Sequence, residues 1–170
     1  MKLTKVVVGL STSNPLCEEA KIFPETIKLF LGIDASKEVY DQLYDKYKIY
    51  KNIKLLNKKI TADTNEGISL KQLVLDYNLE SIDMLHIDTE GKDIDILDTL
   101  QDRFDVLVEG QLKCQPIGID NPNLNQNTFE ECDTYLRNKG YFIHSLYHSS
   151  ETEWCISFMR IQNEQENQLE

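Results

Sequence analysis

No run of this sequence approaches the roughly 20 consecutive apolar residues that a membrane-spanning helix needs, so no membrane span is expected. Basic residues are scarce. Eighteen Lys and Arg stand against 29 Asp and Glu, a net charge of −11, and a phosphate backbone is bound by clustered Lys and Arg. Nucleic acid is therefore not an expected partner. One basic stretch exists, at Lys46, Lys48, Lys51, Lys54, Lys58 and Lys59. It reads as a solvated helix end and edge strand, or alternatively as a patch for a small anionic substrate. The four cysteines, Cys17, Cys114, Cys132 and Cys155, form no CxxC pair, and no His/Cys spacing resembles a zinc site. They read as reduced thiols in a cytoplasmic setting, and no metal is expected. Glycine is thin as well: seven in all. The absence of GxGxxG after the first strand argues against an NAD-binding domain. No signal peptide is expected, because the opening Met1–Leu10 segment runs straight into a strand pattern.

What remains is a 170-residue chain with 41% apolar and 28% charged residues. That is the length of one domain, able to bury a core without disulfides or metal. Residues 1–161 read as that domain, without internal repeats. The tail 162–170 is polar and acidic, the composition of a disordered segment.

Strand and helix patterns alternate. Val6–Val8, closed by Gly9 and the polar turn Ser11–Asn14, predicts a buried first strand. A short helix follows over Leu16–Phe23, with Pro15 in its first turn. Ile27–Ile33 is a second strand ending at Asp34, and Ser36 is placed to cap a helix whose inner face is Val39, Leu43 and Tyr47. Ile53–Ile60 reads as a third, more peripheral strand. The polar loop from Thr61 to Gly67 holds Asp63, and Ser69 caps a helix reaching Tyr77. Met84–Asp88 is the fourth strand, followed by a helix over about Asp93–Leu100. A fifth strand is expected over Asp105–Val108, ending in Glu109-Gly110. After a Pro-, Gly- and Asn-rich loop from Gln115 to Asn127, Thr128 caps a helix through Asn138. Two aromatic-rich strands, Tyr141–Tyr147 and Trp154–Ile161, then form an antiparallel hairpin. Alternation of this kind implies a parallel sheet in an α/β fold.

The most informative segment is Ser69–Leu100. Its apolar run, Ile82–Ile87, is broken only by Asp83 and His86 and stops at Asp88-Thr89-Glu90-Gly91. In open α/β sheets ligands bind beyond the carboxyl ends of strands, so Asp88 and Glu90 are candidates for chemistry. Both would also serve simply as acids favoured at a helix N-terminus. His86 is either a satisfied core residue or a proton acceptor.

This segment resembles the FkbM family of methyltransferases in Ser69-Leu70, in Ile87-Asp88-Thr89-Glu90-Gly91 and in Asp95-Ile96-Leu97. The tight match covers about a fifth of the chain. The family commonly carries Lys where His86 stands and several glycines where this chain has Gly9 alone. The resemblance implies a class I fold: Rossmann-like, a mostly parallel seven-stranded sheet with a C-terminal antiparallel hairpin and helices on both faces. It implies S-adenosyl-L-methionine as cofactor. A close backbone approach at Gly9 and Ser11 and an acid at the end of strand two, Asp34, suit such a ligand. Asp63 is a candidate acceptor for the adenine amino group, or a plain loop acid. Asp88, Glu90 and His86 are the candidate catalytic residues, and Glu109 a candidate for the acceptor pocket. The expected reaction is O-methylation of a small hydroxylated molecule or sugar. The alternative is a scaffold that has the fold without turnover. The aromatic hairpin (Tyr141, Phe142, Tyr147, Trp154, Phe158) is where a homodimer would pair.

Overall fold

The structure, a computed structural model, describes residues 2–63, 65–89, 91, 93–119, 121, 124–150 and 153–161. The expectation for the tail 162–170 lies outside them. Among the described residues, thirteen elements follow one another. They are β1 (Leu3–Val8), α1 (Pro15–Ile22), β2 (Ile27–Asp34), α2 (Lys37–Tyr47), β3 (Ile53–Asn57), α3 (Leu70–Asp76), β4 (Met84–Ile87), α4 (Asp93–Asp98), a 3₁₀ helix (Gln101–Val106), β5 (Glu109–Cys114), α5 (Phe129–Asn138), β6 (Tyr141–His148) and β7 (Trp154–Arg160).

The strands form one seven-stranded sheet in the order β3-β2-β1-β4-β5-β7-β6. β1 through β5 pair in parallel, and β7 lies antiparallel between β5 and β6. The chain builds outward from β1 to β3, returns, and builds the other way from β4. The strand order thus reverses between β1 and β4, where the loops leaving the two carboxyl ends diverge and open a crevice.

The sheet is covered on both faces. Val6, Val8, Leu31, Ile33, Leu85 and Ile87 pack into a core with Leu70, Leu73, Leu97 and Leu136 of α3, α4 and α5. Val7 and Phe30 point the other way, into a second core with Cys17, Ala20, Leu43 and Tyr47 of α1 and α2. Burial from both sides is why β1 reads as three consecutive valines rather than an alternating strand. All four cysteines are free and buried.

The helix starts follow their caps. The side chains of Asn14, Ser36, Ser69 and Thr128 each accept a backbone N–H of the first turn. Thr128 and Glu131 form a reciprocal capping box. β3 stops at Asn57, short of the expected Ile60, which instead bridges Ile68 across the loop. α4 ends at Asp98 rather than Leu100.

The fifth strand departs from expectation. The apolar stretch around Val106 and Leu107 belongs to the 3₁₀ helix and a single bridge, Ile82 to Leu107. β5 begins at Glu109 and runs to Cys114, burying Gly110, Leu112 and Cys114 on one face. Gly110 sits in mid-strand because the Phe158 ring of β7 lies over it; a Cβ there would come 2.3 Å from that ring. Glu109 is consequently at the amino end of β5, remote from the carboxyl edge, where it faces His144 at 3.5 Å. It does not line an acceptor pocket.

Candidate functional site

Parallel register places the key residues before any side chain is considered. Val8 pairs with Ile33 of β2 on one side and with Ile87 of β4 on the other. The next residue of each strand is Asp34, Gly9 and Asp88, which therefore stand in one row along the carboxyl edge. His86 pairs with Gln111, and continuing that register puts Lys113 beside Asp88. Lys113 pairs in turn with Cys155. This row floors a cavity of about 1060 Å³, whose walls include Gly9, Ser11, Asn14, Asp34, Asp88 and Lys113.

Gly9 is held at φ +81°, and a Cβ there would lie 1.9 Å from the Asp88 carbonyl oxygen. Only glycine lets the turn after β1 come so close to the end of β4. The turn is stitched on both sides: the Gly9 N–H donates to the Ile33 carbonyl, and the Asp88 N–H to that of Val8. Ser11 and Asn14 continue it, with the Asn14 N–H donating to the Ser11 carbonyl.

Asp34 spans the base of the crevice. One carboxylate oxygen accepts the Leu10 N–H at 2.8 Å and the other the Ser36 N–H at 2.6 Å. It thereby ties the β1 turn to the start of α2. A carboxylate offers about four acceptor positions, so two remain for a ligand's hydroxyls.

Asp88 is the centre of a charged group. Lys113 Nζ donates to its Oδ1 at 2.7 Å and to Glu153 Oε1 at 2.9 Å. His86, and then Lys113, hold the Asp88 carboxyl below the usual range against the opposing effect of burial. His86 Nε2 is 3.9 Å from Asp88 Oδ2, beyond hydrogen-bond length, so the direct contact is that of Lys113. Burial disfavours the Lys113 ammonium, but its two carboxylate partners push its pKa up overall. His86 Nδ1 meets Gln111 Oε1 at 3.0 Å, and Gln111 Nε2 donates to Ser157 at 3.2 Å. His86 thus belongs to a cross-strand polar row and to neither apolar core.

Asp93, at the start of α4 and only 1% exposed, ties α4 to Thr89 and to the backbone of β5. It accepts the Thr89 hydroxyl and the Lys113 backbone N–H, both at 2.9 Å. Burial pushes its carboxyl up to about 6.

The cavity therefore brings together Gly9, Ser11, Asp34 and Asp88 of the residues expected from sequence. His86 stands behind Asp88 and is not among the lining residues. Asp63 is not among them either; its carboxylate accepts the Asn65 N–H at 2.9 Å. Glu90 lies outside the described residues. Lys113, Glu153 and Gln126 line the cavity without having been anticipated. Lys113 was hidden by the misplaced fifth strand. The other two sit on connecting segments, where no periodic pattern marks a residue as inward-facing.

No family model matches the chain, and no curated protein matches it in sequence. Solved structures do share its fold. TrmK of M. capricolum, in complex with the natural cofactor product S-adenosyl-homocysteine, aligns over 95% of this chain at 10% identity and a TM-score of 0.64. The alignment spans 63% of that protein, so this chain covers less than two thirds of its length. A SAM-dependent methyltransferase from Aquifex aeolicus aligns over 94% of this chain and 82% of its own, at 13% identity and a TM-score of 0.60. The Methanococcus jannaschii fibrillarin pre-rRNA processing protein aligns over 95% and 68%, at 13% identity and 0.65. The likeness establishes the architecture: a Rossmann-like, seven-stranded methyltransferase fold, mostly parallel with antiparallel C-terminal strands.

Proposed function

We propose that this chain is an S-adenosyl-L-methionine-dependent methyltransferase acting on a hydroxyl of a small molecule or sugar. The observation that carries the reading is the row Asp34–Gly9–Asp88, set by sheet register, at the point where strand order reverses. The fit to an adenosyl ligand rests on the donor set. The two acceptor positions left on Asp34 suit the vicinal hydroxyls of a ribose. The turn Gly9–Asn14 offers backbone and hydroxyl groups to an amino-acid moiety. The cavity volume suits a cofactor together with a small acceptor. The bound cofactor would supply a methyl group activated by its sulfonium charge.

The chain's own residues have three tasks. Asp34 and the Gly9 turn orient the ligand, and alignment of nucleophile and methyl group alone lowers such a barrier by about 7–11 kcal/mol. Asp88, at the opposite side of the row, faces the acceptor and takes up a hydrogen bond from its hydroxyl. Asp88 is the group that would take up the proton, since His86 lies 3.9 Å behind its carboxylate and does not line the cavity; a positioned base contributes about 10²–10⁴-fold. The FkbM-like signature Ile87–Gly91 supports the same assignment. A small acceptor agrees with the net charge of −11.

A second reading, a scaffold with the fold but without turnover, is favoured by the two backbone N–H groups already held by Asp34. Calorimetric titration with S-adenosylhomocysteine separates the two. Micromolar binding by the natural chain that is lost in Asp34→Ala supports the transferase. No heat at millimolar ligand removes the transferase reading and leaves the scaffold.

A further inference from the structure

Lys113 is anchored twice. Its backbone N–H is fixed by the buried carboxylate of Asp93 at 2.9 Å. Its ammonium is fixed between Asp88 and Glu153 at 2.7 and 2.9 Å. Glu153 is itself held by the Ser149 hydroxyl at 2.8 Å and by the Gln126 amide. The ammonium therefore links the end of β4, the end of β5, the residue before β7 and the loop carrying Gln126, all on one wall of the cavity.

We infer that Lys113 is a positioning residue for Asp88: a cation supplied by β5 that keeps this carboxylate ionised and fixed at the cavity wall. The groups around Asp88 leave Lys113 in this role. On β4, His86 stands 3.9 Å away, and its imidazole is a cation only when protonated. On α4, Asp93 is an acid, its own carboxyl raised in part by the Asp88 charge, and it brings no positive charge. On β6 and β7, Tyr147 and Cys155 interact with Asp88 but bring no positive charge. Glu153 adds a second negative charge, which Lys113 neutralises. Among the described residues, Lys113 is the one permanent cation in ion-pair contact with Asp88. Removing it would leave Asp88 and Glu153 on one cavity wall with no permanent counter-charge in contact among the described residues, and like charges so placed favour protonation of one of them.

The inference rests on the proposed function only in calling Asp88 a group at the reacting end; the electrostatic relation is independent of it. The experiment is a pH titration of the aspartate carboxyl carbons by NMR in the natural chain, Lys113→Met, Lys113→Gln and Lys113→Arg, with Asp88→Asn to assign the Asp88 signal. Both neutral variants are expected to raise the Asp88 midpoint by about one pH unit or more, and Arg to restore it. A merely structural side chain would not be rescued by charge in this way. Unchanged midpoints in the neutral variants, or an Arg variant that behaves like them, would overturn the inference. Lys113→Gln keeps a polar head, so the comparison survives if the Met variant does not fold. S-adenosylhomocysteine titration of the same samples tests the other reading separately. Midpoints that move as expected in a chain that binds no cofactor would sustain the role of Lys113 and remove the transferase.

Discussion

Two glycines with nearly the same backbone angle allow the central contact of this site to be weighed. Gly9 has φ +81° and Gly140 has φ +83°. An alanine at either position incurs the left-handed conformational cost of about 1–2 kcal/mol, partly offset by the reduced freedom of the unfolded chain, about 0.4–1 kcal/mol. A Cβ on Gly140 meets nothing within 4 Å, whereas on Gly9 it would lie 1.9 Å from the Asp88 carbonyl oxygen. Gly140→Ala is therefore expected to cost about 1 kcal/mol. Gly9→Ala adds an overpacking cost of about 1–3 kcal/mol, because a backbone carbonyl cannot rotate away as a side-chain tip can. Equilibrium urea unfolding measures both. With a slope of about 1–3 kcal/mol per molar, the Gly9→Ala midpoint should fall about 1 M below that of Gly140→Ala. The displaced Asp88 backbone should also weaken S-adenosylhomocysteine binding in Gly9→Ala alone. Equal midpoints for the two variants would refute the claim that the β1 turn packs against the end of β4.

Three further outcomes follow from particular groups. Thr128→Ala removes the hydroxyl of the capping box and should cost about 1 kcal/mol by urea unfolding, with Thr128→Ser nearly neutral; a silent Ala variant would mean that α5 does not start there. Asp93 is raised from 3.8 to about 6 by burial, so the folded chain holds this proton more tightly than the unfolded one. Its contribution to stability is complete below pH 3.8 and erodes as the pH climbs to about 6, by up to about 3 kcal/mol. Relative to Asp93→Asn, the natural chain should lose stability between pH 4 and 6, and parallel stability curves across that window would contradict the burial argument. Burial also pushes the Cys17 thiol up to about 12, and all four cysteines are buried and free. An aromatic disulfide reagent should therefore find no fast-reacting thiol in the folded chain and four after denaturation; one rapid thiol before unfolding would show a cysteine at the surface.

The parts of the site that could be read from sequence share a physical origin. β1 and β2 are buried on both faces and β4 fully on one, half on the other, so each appears as an apolar run, and each ends abruptly where the chain turns into a helix. Those endings, at Gly9, Asp34 and Asp88, mark the carboxyl edge almost to the residue. The caps at Ser36, Ser69 and Thr128 were legible because a side-chain oxygen accepting a first-turn N–H is a local arrangement that needs no tertiary information. Asp63 shows the limit of such reading. It also follows a strand pattern, but β3 stops at Asn57 and the intervening residues carry Asp63 into a turn of its own.

Lys113 stayed hidden for a reason that concerns pairing rather than composition. Residues Glu109–Cys114 offer only Leu112 and Cys114 as apolar residues, too few to outweigh the apolar stretch just before them. The segment is a strand because β7 lies antiparallel along it and seats Phe158 on Gly110, a contact between residues 48 positions apart that no local window contains. Moving the strand by a few residues carries Glu109 to the wrong end of the sheet and brings Lys113 to the right one. An error in one boundary thus exchanges an acid for a base in the inferred site. That exchange reverses its electrostatics: with Glu109, Asp88 would face another negative charge and be driven toward protonation, whereas with Lys113 it is held ionised. The ion pair at Asp88 therefore depends on how β5 pairs with its neighbours, which no local reading of the Ile87–Gly91 signature shows.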